Sequence, residues 1–202
     1  MEHNSVLRPL KSLEKLGITH SVLRADRDGL LTAADIEKTI RPNTKLIIVT
    51  AASNVTGGKM PIAEIGELAK RKGIFFMVDG AQGAGCMPLD VAHMHIDLLA
   101  FPGHKGLLGP QGSGGLYAAP RTALRPMLEG GTGTESKSRE QPREFPEGFE
   151  AGTINAPAII GLGRGTEFVA KIGVDVIARY EEELISYLDA CLDEMPGVLR
   201  YG

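Results

Sequence analysis

The chain has 202 residues, 43% hydrophobic and 23% charged, with a formal net charge of −3, which suits one sizeable globular domain and a fraction of another. That charge gives no electrostatic case for nucleic acid or an anionic membrane, and no apolar run is long enough to span a bilayer. Two cysteines, Cys86 and Cys191, cannot build a disulfide framework, and no signal-peptide segment opens the chain, so a cytoplasmic protein is expected.

Val6, Leu10, Leu13 and Leu16 recur at helical spacing and Gly17 can cap their helix, which Pro9 should start near Arg8. His20 to Leu23 reads as a short strand. Thr32-Ala33-Ala34-Asp35 resembles a capping box opening a helix to Ile40, ended by Pro42. Lys45 to Thr50 is a continuous apolar strand of the doubly buried kind. Pro61 opens a helix with Ile62, Ile65, Leu68 and Ala69 on one side, closed by Gly73.

Ile74 to Val78 is a second buried strand, ended by Asp79; Ile96 to Phe101 is a third and Gly115 to Ala118 a fourth. Strand, helix, strand predicts a mostly parallel α/β sheet. Leu128 to Pro146 has no periodicity and reads as a long loop. Ala158 to Ile172 and Val174 to Met195 are helices, the second with Ile177, Tyr180, Leu184, Tyr187 and Cys191 on one stripe and Pro196-Gly197 as its stop.

In parallel sheets ligands bind beyond the carboxyl ends of the strands. One strand here leads to Ser53-Asn54, the next to Asp79-Gly80-Ala81-Gln82, and the third to His104-Lys105. Taken singly, Asp79 could cap a strand end, Lys105 could be a surface charge and His104 a hydrogen-bonded structural histidine. Together they suit a pyridine-aldehyde cofactor. A partly desolvated lysine amine can hold the aldehyde carbon, an acid can pair with the ring nitrogen, and backbone amides can hold a phosphate.

Val78-Asp79-Gly80-Ala81-Gln82, Phe101-Pro102-Gly103-His104-Lys105, Gly109-Pro110-Gln111-Gly112 and Phe149-Glu150-Ala151-Gly152-Thr153-Ile154-Asn155 stand in order along the chain. In these motifs the chain resembles the class V aminotransferase family, in the branch of cysteine desulfurases and selenocysteine lyases. The resemblance implies a three-layer αβα large domain of the pyridoxal 5'-phosphate fold type I, incomplete at both ends. It would occupy residues 1–172, with 173–202 a helix leading toward a small C-terminal domain. It implies Lys105 and His3 as catalytic residues, Lys105 forming the Schiff base and His3 stacking on the cofactor ring. Asp79 would pair with the pyridine nitrogen, Gln82 with the ring hydroxyl and His104 with the phosphate. Asn54 would lie near the cofactor and the substrate carboxylate. Thr153 would reach the phosphate of a neighbouring subunit, which implies a homodimer.

The implied reaction takes L-cysteine to alanine and persulfide sulfur, with a sulfur-acceptor protein as partner. An aminotransferase, a β-lyase, or a non-catalytic, dimerising remnant are the alternatives. Pro102 departs from the serine expected to bind the phosphate, so one donor is lost. A Gly-Thr-Thr phosphate loop, the arginine for the substrate carboxylate and the persulfide cysteine are expected outside these residues. Cys191 on its apolar stripe reads as core, and Cys86, after Gly83-Ala84-Gly85, reads as a buried structural thiol. His93-Met94-His95 lacks a third ligand, so no metal is expected, and Glu181-Glu182-Glu183 reads as a solvated helix face. Sheet and helix faces left uncovered predict a tendency to associate.

Overall fold

The computed structural model describes residues 1–26 and 31–199. Its sheet has four strands, β1 (Leu46–Thr50), β2 (Phe75–Asp79), β3 (Leu98–Pro102) and β4 (Gly114–Ala118), in the order β1-β2-β3-β4. The first three run parallel and β4 returns antiparallel to β3. Ile47, Val49, Phe76 and Val78, all on one face of the sheet, are buried. Each of these side chains contributes about 2 kcal/mol by leaving water. On the other face Leu46 and Phe75 are exposed and Ile48 and Met77 half-buried. These strands are therefore not doubly buried as expected: side chains alternate between faces, and described residues cover the second face only in part.

Helix α1 (Asn4–Leu13) lies near the chain start, and α2 (Ala33–Glu37) opens on Thr32 in a capping box completed by Asp35. Helix α3 (Ile62–Lys72) links β1 to β2. Its Ile65, Leu68 and Ala69 are buried at helical spacing, and Gly73 ends it in the left-handed conformation. A Cβ on Gly66 would lie 1.8 Å from the Met94 carbonyl oxygen, so α3 can sit this tightly on the segment before β3 only with glycine there. Helices α4 (Ala156–Ile172) and α5 (Val174–Asp193) complete the described chain, with Asn155 accepting the Ala158 N–H at 3.2 Å as the N-cap of α4.

Helix α1 begins five residues before Pro9 rather than near Arg8. The side chain of His3 caps it earlier, and α1 has no buried residue, so the carbonyl that Pro9 cannot satisfy is open to water. His20 to Leu23 forms no strand, because no described strand pairs with it. Helix α2 stops at Glu37, short of Ile40. Helix α5 has no buried residue: Tyr180, Leu184 and Tyr187 are exposed, and so is Cys191, which is therefore not a core residue. No described segment buries these four residues, while Ile177 on the same stripe is half-buried. Glu181, Glu182 and Glu183 are all exposed, as a solvated helix face requires, with Glu182 3.9 Å from the exposed Lys59. Leu128 to Pro146 has no helix or strand, as expected, and the irregular stretch begins earlier, at residue 119. Arg200, Tyr201 and Gly202 of the 173–202 segment lie outside the described residues. No described helix is long and apolar enough to cross a membrane.

Candidate active site

Because β1, β2 and β3 are parallel, their carboxyl ends share one rim. Asp79 ends β2 there, opposite Thr50 on one side and Ala100 on the other. It is 9% exposed, and its Oδ1 accepts the Ala81 N–H at 2.9 Å. No hydrogen bond to its Oδ2 is made among the described residues, and that oxygen is not one of their buried unpaired atoms. The chain then turns tightly, with Gly83 and Ala84 both donating to the Gly80 carbonyl, at 3.0 and 2.8 Å. Gln82 sits half-buried in that turn.

The turn after β3 carries His104 and Lys105. It is closed by the Gly109 N–H donating to the Gly103 carbonyl at 2.7 Å and the Leu108 N–H to that of Lys105 at 2.9 Å. It packs directly on the Asp79 turn: a Cβ on Gly85 would lie 2.3 Å from the Gly106 carbonyl oxygen. Helix α4 lies against its other side, where a Cβ on Gly165 would meet the Leu107 carbonyl at 2.2 Å. Lys105 and His104 are both exposed, and the Lys105 amine makes no hydrogen bond or ion pair among the described residues.

The loop after β1 is tied through Ser53, whose buried Oγ accepts the N–H groups of Val55 and Thr56 at 3.1 and 3.2 Å. Asn54 is exposed at its tip. His3 is exposed at the N-cap of α1, where its Nδ1 accepts the Ser5 N–H at 3.2 Å. Thr153 is exposed in the segment entering α4, just after the left-handed Gly152, whose N–H donates to the Gly131 carbonyl at 2.8 Å. The structure thus joins Asp79, Gln82, His104 and Lys105 on two interlocked turns and sets Asn54 on the next loop of the same rim.

Glu2 also reaches the rim. Its Oε1 accepts the Thr50 N–H at 2.9 Å across a separation of 48 residues, so no local sequence signal could have announced it. Burial pushes its carboxyl above the ordinary value, and the nearby charge of Asp79 adds to the rise. Cys86 is half-buried beside Gly106, and burial together with Glu181 raises its thiol, which therefore stays protonated and weakly nucleophilic. His93 pairs with Asp90 at 2.8 Å and His95 with Glu67 at 3.1 Å, and no metal-ligand cluster occurs among the described residues. A concavity of about 560 Å³ between α2 and α3, lined in part by Glu37, Leu68 and Arg71, contains none of the rim residues.

The family model for class-V aminotransferases matches residues 1–202. A protein of Methanothermobacter thermautotrophicus named "Probable cysteine desulfurase" is 36% identical over 206 aligned positions, covering all of this chain and 52% of the relative. The apo structure of cysteine desulfurase from Thermococcus onnurineus NA1 superposes with a TM-score of 0.87 at 36% identity, covering 96% of this chain and 49% of that one. A structure of SspA in complex with cysteine is also 36% identical, with a TM-score of 0.71 over 82% of this chain and 45% of its own. The chain spans about half the length of the curated relatives it matches.

Proposed function

The chain belongs to the class-V aminotransferase family, and on that footing we propose that it carries the cofactor-binding rim of a pyridoxal 5'-phosphate enzyme acting as a cysteine desulfurase. The fold is the mostly parallel α/β type shared with the solved cysteine desulfurases, and relatives across the whole chain carry that name. The observation that supports the reading best is a buried carboxylate with one free oxygen on a turn interlocked with the turn of an uncommitted lysine.

The residues present fit the cofactor. The free Oδ2 of Asp79 can accept the ring N–H, and its burial strengthens that pairing. When bound, the cofactor supplies an electron sink for the electrons left at the substrate Cα. Lys105 holds the aldehyde carbon through its amine and carries the proton to and from the substrate Cα. Gln82 donates to the ring hydroxyl, while His104 and neighbouring backbone N–H groups hold the phosphate. Pro102 offers no hydroxyl there. His3 stacks on the ring and Asn54 orients the substrate carboxylate. Thr153 reaches the phosphate of a second subunit, which makes the protein a homodimer with shared sites.

The proposed substrate is L-cysteine, the ligand of the related SspA complex. Its C–S bond breaks, the sulfur passes to a cysteine thiolate as persulfide, and a proton completes alanine. Cys86 does not suit the thiolate role, since its thiol is raised. A sulfur-acceptor protein is the proposed partner.

Titration with pyridoxal phosphate should produce a visible absorption band, and borohydride should fix the cofactor on the peptide containing Lys105. Lys105→Ala should abolish that adduct. A protein that stays colourless, or a Lys105→Ala variant that is still labelled, overturns the reading. Alanine release from L-cysteine, without keto acid, separates desulfuration from transamination.

A further inference from the structure

Along a parallel strand, successive N–H groups point to opposite sides. The Ala51 N–H donates to the Asp79 carbonyl at 2.8 Å, toward β2, so the Thr50 N–H faces the outer edge of β1. Glu2 occupies that position in place of a neighbouring strand, its Oε1 2.9 Å from the Thr50 nitrogen. Its other oxygen, Oε2, is buried without a partner among the described residues. Met1, on one side, packs against the core. His3, on the other, starts α1 and accepts the Ser5 N–H. A rotatable histidine ring on an exposed helix end is thus one residue away from a bond into the edge strand.

We propose that Glu2 is a positioning residue for His3: its carboxyl, bonded to the Thr50 amide at the end of the edge strand, fixes where the adjoining His3 stands relative to that strand end. The role of His3 toward the cofactor rests on the function proposed above; the anchoring itself does not. A carboxyl whose second oxygen is buried and unpaired is costly as an anion. Glutamine, an uncharged isostere that keeps the Oε1 acceptor, can make the same bond to the Thr50 amide.

Amide exchange by NMR in the full, cofactor-free chain reads the anchor directly. Glu2→Ala should speed exchange about tenfold at both Thr50 and Ser5, the latter because its N–H rests on the His3 ring. Glu2→Gln should leave both close to wild type. If Glu2→Ala does not fold, Glu2→Asp, one methylene shorter, gives the same comparison. Faster exchange at Thr50 with Ser5 unchanged would show a strand cap with no hold on His3, and the proposal would be wrong. Glu2→Gln behaving like Glu2→Ala would equally overturn an anchor made through the Oε1 acceptor.

In the cofactor-loaded protein, Glu2→Ala should weaken pyridoxal phosphate binding about fivefold and add nothing further in a His3→Ala background. An equal loss in both backgrounds would contradict action through His3. Failure of the wild type to bind the cofactor would overturn the proposed function while leaving the exchange test of the anchor intact.

Discussion

Gly85 and Gly106 meet backbone to backbone, and that contact locks the Lys105 turn onto the Asp79 turn. A Cβ on Gly106 would lie 2.5 Å from the Ala84 carbonyl oxygen and 2.6 Å from Cys86 Sγ. Gly106→Ala should therefore force the two turns apart, at about 1–3 kcal/mol. Cofactor affinity should fall about tenfold as Lys105 moves from Asp79. Gly163→Ala, in an exposed helical position with nothing within 4 Å, is the control and should stabilise by about 0.5–1 kcal/mol. Denaturant midpoints and cofactor titration measure both.

Asp97, buried at the opposite end of the sheet, accepts the Phe76 N–H at 2.8 Å and both Nε and Nη2 of Arg121. The Arg121 guanidinium also lies 4.7 Å from the Phe75 ring centre. Arg121→Met should cost about 2–3 kcal/mol, less than a fully buried pair, because Arg121 is half-exposed and Asp97 keeps its backbone donor. Urea unfolding should reveal that loss. Cofactor affinity of the folded variant should be unchanged, since the pair lies away from the rim.

Thr32 and Lys38 lower the Asp35 carboxyl from 3.8 to about 2, the Thr32 hydroxyl contributing most. Folding therefore favours its charged form, and the capping contribution is full above about pH 4 and lost as pH falls toward 2. Asp35→Asn should lower the thermal midpoint at neutral pH. The gap from wild type should close near pH 2, and a gap that persisted there would show that the charge is not what the cap uses.

Cys86 and Cys191 should differ in reactivity. Cys191 is exposed, whereas burial and Glu181 raise the Cys86 thiol. Iodoacetamide near pH 7.5 should label Cys191 first, as peptide mass spectrometry would record. Glu181→Gln should speed labelling of Cys86, because it removes a negative charge that disfavours the thiolate. Equal rates in both proteins would contradict the contact.

The amino-acid sequence by itself determined the elements whose cause is local. Apolar runs made β1 and β2, the 3.6-residue spacing of Ile62, Ile65 and Ala69 made α3, and Thr32 with Asp35 made the capping box. It also placed Asp79 and Lys105 at strand ends, which in a parallel sheet means one rim. Tertiary structure decided what depends on contacts far apart in the chain. His20 to Leu23 stayed out of the sheet because a strand needs a partner to pair with. Most of the stripe of α5 stayed exposed because periodicity marks an apolar face but not whether anything covers it. The hold of Glu2 on Thr50 and the interlock of Gly85 with Gly106 join residues whose neighbours in sequence carry no trace of the contact. The sequence marked out the residues of the candidate site, and packing decided which of them share a rim.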